Sequence, residues 1–285
     1  MRTERLPDFV VIGAMKAGST SLHLWLASQA ELWAPEQKEP HFFSQDWVWA
    51  RGSGWYQGLF DAAPPGVLRF ESSTSYSDPE YAEAAARRLH ETIPEARLIY
   101  VVRHPIDRLR SDYRHSVAEA RQDLPLADVV QDLDCGHVRR SMYFSCLAPY
   151  RRLFRDDQIK VVAFEALVRP PHAEWDGVIE FLGLSPRPAP GTRHNATDER
   201  VSATGVKRFL RRTGLLPFAR RLPAGARRLA ARAAPVDART HALLASADDP
   251  LPVAVMERIW DDVDALEAWL RRDAPLWQRG SLSAR

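Results

Sequence analysis

An α/β fold built on a parallel sheet is the architecture that the 285-residue sequence predicts. Three observations carry it. Short apolar runs rich in β-branched residues recur along the chain, as strands buried on both faces require. Stretches with helical spacing alternate with them, and that alternation argues for a parallel sheet covered by helices. The first run stops in a glycine-bounded loop that opens a helix, which is the start of a βα unit.

In order, Phe9 to Gly13 (FVVIG) is the first strand, closed by its glycine. After the loop, Leu22, Trp25 and Leu26 share one face of a helix. Val67 to Glu71 reads as a second strand, and Glu80 to Glu91, rich in alanine and charge, as a helix. Arg97 to Val102 (RLIYVV) is a strand that must turn at Arg103-His104-Pro105, because proline cannot continue the ladder; a helix starts near Ile106. Ile159 to Phe164 is the next strand and Trp175 to Leu182 the helix after it. From Gly205 the character changes. Nine basic residues between Lys207 and Arg232 occur without an acidic one, interleaved with apolar residues and broken by Pro217 and Pro223, which predicts two or three short helices. Val253 to Arg272 is the last helix, with Ile259, Trp260, Val263, Leu266 and Trp269 at helical spacing. Residues 1–285 read as one domain: an α/β core over 1–200, then a basic helical segment and a C-terminal helix over 201–285. No internal repeat or low-complexity tract interrupts it.

Composition bounds the partners. A 45% hydrophobic chain of this length can bury a full core. A net charge of +2 gives no bulk field of the kind that marks a nucleic-acid binder. Cys135 and Cys146 are too few for a disulfide framework and suit a reducing, cytoplasmic setting as buried free thiols. No apolar run approaches the roughly 20 residues that cross a bilayer. The short, mixed-charge start from Met1 to Asp8 reads as mature protein. Basic residues are nearly all arginine, with lysine only at 16, 38, 160 and 207, which points to a GC-rich bacterial genome.

Chemistry concentrates after the first strand. Gly13 and Gly18 bracket a loop that contains Lys16 and is followed by Ser19 and Thr20 at a helix start. Backbone N–H groups, the positive end of the helix dipole, two hydroxyls and one ammonium then face a single spot, an anion site for phosphate or sulfate. The alternative is an ordinary helix cap beside a solvated lysine. The spacing G-x-x-x-x-G is that of a Walker A loop, but Ser19 stands where that loop needs its lysine, which speaks against ATP or GTP with magnesium. A second candidate anion ligand set follows the strand that ends at Val102. Arg103 sits where α/β sheets bind ligands. Ser111 lies two helical turns on and reaches the same phosphate if the helix runs beside the site; guanidinium and hydroxyl together suit a phosphate dianion.

Gly13-Ala14-Met15-Lys16-Ala17-Gly18-Ser19-Thr20 resembles the 5'-phosphosulfate loop of sulfotransferases that use 3'-phosphoadenosine 5'-phosphosulfate (PAPS). Leu98 to Pro105, with Arg108 and Ser111-Asp112-Tyr113, is similar to their 3'-phosphate motif, a strand ending in arginine with a serine eight residues later. The resemblance implies the sulfotransferase fold, a P-loop-type parallel sheet flanked by helices with a helical C-terminal region. It also implies PAPS as co-substrate and adenosine 3',5'-bisphosphate as product, with Lys16, Ala17, Gly18, Ser19, Thr20, Arg103 and Ser111 as donor-binding residues.

Lys38-Glu39-Pro40-His41-Phe42-Phe43, Gly52-Ser53-Gly54-Trp55-Tyr56 and Ser141-Met142-Tyr143 resemble the glycosaminoglycan, heparan-type branch, over roughly Asp8 to Leu184. That likeness implies Glu39 as catalytic base. His41 is the competing base, as another branch uses histidine. Two features depart from the heparan type: Ser72 stands where those enzymes carry a lysine that meets substrate, and the C-terminal disulfide-closed loop is missing. The acceptor therefore stays open among sugar, glycolipid and secondary-metabolite hydroxyls or amines. The mechanism implied is an in-line displacement in which Glu39 accepts the nucleophile's proton and Lys16 neutralises charge on the leaving phosphate. It requires no metal, and no ligand cluster has zinc spacing.

Trp47, Trp49, Trp55 and Tyr56 follow Glu39 closely. Trp47, Trp55 and Tyr56 are candidates to line an acceptor cleft, or else belong to the core. The basic stretch Lys207–Arg232 is a solvated helical face, a lid on anionic groups, or a peripheral membrane contact. Two rival classes remain: a P-loop nucleotide kinase or hydrolase, and a non-catalytic membrane- or anion-binding module.

Overall fold

The computed structural model describes residues 5–190 and 238–279. Five strands, β1 (Phe9–Gly13), β2 (Leu32–Trp33), β3 (Leu68–Ser72), β4 (Arg97–Val102) and β5 (Ile159–Ala163), form one sheet in the order β2-β3-β1-β4-β5. Every pairing in it is parallel. The central strand β1 is buried along its whole length, which is why its sequence shows no polar alternation. Val10 lies beside Glu71 on one side and Leu98 on the other. The chain leaves β1 toward β2 and β3, then crosses back to β4 and β5. The sheet therefore reverses direction of winding between β1 and β4, and parallel α/β sheets bind ligands beyond the strand ends at such a point.

Helices α1 (Ser19–Ala27), α4 (Ala82–Thr92), α5 (Pro105–Ala118), α8 (Tyr143–Arg151) and α10 (Ala173–Phe181) supply most of the cover. Short helices α2 (Asp46–Trp49), α3 (Gly52–Gly58), α6 (Leu126–Val129), α7 (Gly136–Arg139) and α9 (Phe164–Val168) lie in the connections. Helices α11 (Ala238–Ser246) and α12 (Val253–Trp269) follow the basic stretch. On α1 the predicted face of Leu22, Trp25 and Leu26 is buried, and Trp25 meets Trp175 of α10 edge-on at 5.7 Å. A second apolar cluster, including Leu109 and Tyr113 of α5, Leu126 of α6, Leu243 of α11 and Ile259 of α12, joins the C-terminal helices to the core.

The strands and the main helices fall within a few residues of their expected bounds. The last helix stops at Trp269 because Arg271 adopts a left-handed φ of 51° that no continuing helix allows. Phe164 belongs to α9, not to β5. The predicted short helices over 205–232 lie outside the described residues, apart from which the C-terminal region is helical as expected.

Candidate active site

Three neighbouring strands, β3, β1 and β4, end at one edge of the sheet, and each hands the chain to a segment bearing candidate site residues. After β1 the loop Ala14 to Gly18 is fixed from both sides: Ala14 N–H donates to Val101 O (2.8 Å) and Ala17 N–H to Ala14 O (3.2 Å). Gly18 caps α1 with φ 97°, and Ser21 and Leu22 N–H both donate to its carbonyl (3.0 and 3.2 Å). Gly18 has to be glycine for a second reason, since a Cβ there would stand 2.1 Å from the Phe164 ring. At Gly13 an added Cβ would stand 1.9 Å from Ser77 Oγ. The N–H groups of Ser19 and Thr20 open a nine-residue helix and have no partner within it. Ala17 and Ser19 are buried, Lys16 is half-buried and Thr20 exposed.

Glu39 is held against the end of β3. Its N–H donates to Ser72 O (3.1 Å), and its carboxylate accepts from Lys38 Nζ (2.8 Å, Oε1) and Thr74 Oγ1 (3.3 Å, Oε2). The Lys38 ammonium also reaches Thr20 Oγ1 at 3.3 Å, which joins the Glu39 segment to the start of α1 after the candidate anion loop. His41 Nε2 lies 3.7 Å from Glu39 Oε2, while His41 Nδ1 shares a hydrogen bond with Ser75 Oγ at 2.7 Å. Burial pushes the His41 pKa below the ordinary histidine range, with the Lys38 charge adding to the shift and the Glu39 charge opposing it. Lys16, Glu39 and His41 all adopt left-handed φ, at 67°, 60° and 57°. Such conformations cost about 1–3 kcal/mol each in non-glycine residues and persist where the surroundings over-determine them.

Beneath Glu39 lies a buried hydroxyl cluster. Glu71 accepts from Tyr56 OH (3.1 Å), Tyr76 OH (2.6 Å) and Ser73 Oγ (2.8 Å), and burial above all raises its pKa to about 7. His23 shares a 2.8 Å hydrogen bond with Ser72 Oγ and is pushed down to about 4, first by burial and then by the Lys38 charge. Tyr56 is therefore core: its ring is fully buried and stacks on Phe42 at 4.4 Å, which corrects its candidacy as an acceptor-lining residue. Trp47 is 71% exposed, and Trp55 is half-buried with the Arg51 guanidinium 4.0 Å above its ring.

On the other side of β1, Arg103 extends β4 and is half-buried. Its backbone is clamped at both polar atoms by one hydroxyl: Tyr143 OH accepts from Arg103 N–H (3.2 Å) and donates to Arg103 O (2.7 Å). Ser111 is half-buried on α5, the helix that β4 feeds. Arg108 and Asp112 from the same segment are structural. They pair at 3.5 Å with no exposed surface, and Asp112 also meets His137 (2.8 Å) and Arg140 (3.3 Å). Burial pushes Asp112 up, but Arg108, His137 and Arg140 outweigh it and hold the carboxyl well below the usual carboxylate range. Among the described residues no group of three or more His, Cys, Asp or Glu is placed to hold a metal ion.

Residues to which the sequence alone assigns no role are Lys38, Thr74, Ser75 and Ser44, whose Oγ lies 2.7 Å from that of Ser75. A signal existed for two of them: residues 72–77 are Ser-Ser-Thr-Ser-Tyr-Ser, an unbroken hydroxyl run directly after a strand.

The sulfotransferase domain family matches residues 6–204. Mouse heparan sulfate glucosamine 3-O-sulfotransferase 6 is 31% identical over 188 residues, which is 63% of this chain and 53% of that protein. Human bifunctional heparan sulfate N-deacetylase/N-sulfotransferase 2 is 26% identical over 204 residues, 64% of this chain and 22% of that protein. The chain spans about half the length of the 3-O-sulfotransferases it matches. A solved sulfotransferase from Alicyclobacillus acidocaldarius shares the fold with a TM-score of 0.56 at 23% identity, over 78% of this chain and 98% of that one. The five-stranded parallel sheet, the glycine-bounded loop after its central strand and a family match covering most of the chain lead to one conclusion: this chain belongs to the sulfotransferase domain family.

Proposed function

We propose that the chain transfers a sulfuryl group from PAPS to a hydroxyl or amine of a carbohydrate, glycolipid or secondary-metabolite acceptor and releases adenosine 3',5'-bisphosphate. The observation that carries this reading is the convergence of the Lys16 loop, Glu39 and Arg103 at the ends of three adjacent strands. Lys16, with the N–H groups of Gly18, Ser19 and Thr20, neutralises the 5'-phosphate end of the donor. Arg103 and Ser111 take the 3'-phosphate. The acceptor oxygen bonds to sulfur as the bond from sulfur to the bridging phosphate oxygen breaks, its electron pair staying on the phosphate. Glu39 receives the acceptor's proton late, since a loose transfer loads charge on the leaving oxygen first.

Trp47 and the Arg51–Trp55 stack are the surface proposed to meet the acceptor, and the names of the curated relatives favour a sugar. Cys135 and Cys146 are free thiols, which supports operation in the cytoplasm, and the arginine-rich composition supports a bacterial origin. No helix among the described residues is long and apolar enough to cross a membrane. A peripheral contact through Lys207–Arg232, outside the described residues, is tested by liposome binding with those charges removed.

The deciding experiment is calorimetric binding of adenosine 3',5'-bisphosphate against ATP with magnesium. Micromolar binding of the bisphosphate, abolished by Arg103→Ala, supports the reading. Preference for ATP with magnesium overturns it in favour of a nucleotide kinase or hydrolase, and binding of neither leaves a non-catalytic surface module.

A further inference from the structure

We propose that Lys38 is a catalytic residue of this transfer, holding the sulfuryl oxygens from the acceptor side while Lys16 holds the phosphate side. The inference rests on the sulfotransferase reading above. Its basis is that Lys38 Nζ touches both halves of the site at once, Thr20 Oγ1 of the anion loop at 3.3 Å and Glu39 Oε1 at 2.8 Å. The group to be transferred has to lie between those two halves, because one side binds the donor and the other takes the acceptor's proton. An ammonium has three N–H bonds; Thr20 and Glu39 use two and leave the third for a sulfuryl oxygen.

Local charge points the same way. The end of β3 carries no cation: Ser72 is there, paired with His23, and burial pushes the His23 pKa down to about 4 and the His41 pKa down as well. Lys38 reaches the spot from the neighbouring loop, with its side chain 25% exposed and therefore only partly screened by water. Its position is set by backbone, since Lys38 N–H donates to Glu36 O (3.1 Å) and the next residue is held in left-handed conformation on Ser72. Before the donor arrives, the ammonium pairs with Glu39. An anionic sulfuryl group competes for that ammonium, which loosens its hold on Glu39 as the acceptor enters. In the step itself the acceptor O–S bond forms, the S–O bond to the phosphate breaks with its pair on phosphate, the proton moves to Glu39, and Lys38 keeps its own protons.

The test compares two ligands that differ only by the sulfuryl group, using full-length protein with Lys38→Ala and Lys38→Arg. Affinities for PAPS and for adenosine 3',5'-bisphosphate are measured by calorimetry, and PAPS breakdown with water as acceptor is followed by appearance of the bisphosphate. K38A should bind the bisphosphate within about threefold of wild type, bind PAPS about tenfold more weakly, and break PAPS down about 10²–10³ more slowly. K38R should recover part of the rate. Thermal stability should move little, as a partly exposed ion pair contributes little to folding. Equal losses for both ligands would make Lys38 a prop of the loop and overturn the proposal, as would unchanged PAPS binding and breakdown. If wild-type protein binds neither ligand, the sulfotransferase reading fails and this inference with it.

Discussion

Glu39 and His41 sit two residues apart, both in left-handed backbone, and the proposed transfer assigns the acceptor's proton to Glu39. Glu39→Gln keeps the shape and removes the proton acceptor, so turnover should fall about 10²–10⁴-fold while bisphosphate affinity stays within about threefold. Normal turnover in that variant, with loss in His41→Ala, would move the role to His41. Gly18→Ala should fail differently. Its methyl meets the Phe164 ring and its φ of 97° is hostile to any side chain, so both stability in urea and bisphosphate affinity should drop together. Glu71 gives a pH signature. Its pKa of about 7 exceeds the ordinary value of 4.5, so the folded chain holds a proton there that the unfolded chain has lost. The stability this group contributes is complete below pH 4.5 and is lost as pH rises through 7. The unfolding free energy measured by urea denaturation between pH 5 and pH 8 should fall by an amount on the order of 3 kcal/mol in wild type. Glu71→Gln, which cannot titrate, should remove that slope; an unchanged slope would place its origin elsewhere.

At the scale of elements, what the sequence showed depended on how much information each segment carries by itself. β1, β4 and α5 were readable because continuous burial and a terminal glycine or proline mark them locally. β2 is two residues long and exists because β3 offers it an edge, so no periodicity could announce it. α8 contains Pro149, which argues against a helix when read alone; packing on α4 and α12 overrides that preference. The candidate anion loop and the Arg103 segment were legible as spacings. Their convergence was not, because the order β3-β1-β4 is a property of the sheet and not of any segment. Tyr143 illustrates the gap. In sequence it was part of a serine-x-tyrosine likeness, whereas in the fold its hydroxyl fixes the peptide of Arg103 from α8. Tyr143→Phe should therefore weaken bisphosphate binding about tenfold and cost about 1–3 kcal/mol of stability, read by calorimetry and urea denaturation. Bisphosphate binding at wild-type strength would show that Arg103 needs no clamp.

The same clamp connects the proposed donor site to a part of the chain beyond the family match, which ends at residue 204. Asp262 of α12 is buried and accepts from Phe144 N–H (2.8 Å), Ser145 N–H (2.9 Å) and Ser145 Oγ, so it caps the first turn of α8 immediately after Tyr143. Glu165 makes a second connection: it accepts from His104 N–H (2.9 Å) and from Trp277 Nε1 (3.0 Å), tying the residue after Arg103 to the segment that follows α12. The C-terminal helices thus belong to the architecture of the proposed donor site, although none of their residues is in a donor motif. Asp262→Ala leaves three donors at the start of α8 without their acceptor, and hydrogen bonds to a charged group contribute about 1.5–3 kcal/mol each. Because the bonds share one carboxylate and solvent can replace part of them, the expected loss of stability is about 2–4 kcal/mol. Bisphosphate affinity should fall alongside, since α8 carries Tyr143. The double variant with Tyr143→Phe separates the two effects. If Asp262 acts on the site through Tyr143, the affinity losses of the two substitutions will not add, while their stability losses largely will. Additive affinity losses would mean that α12 reaches Arg103 by the Glu165–Trp277 route instead.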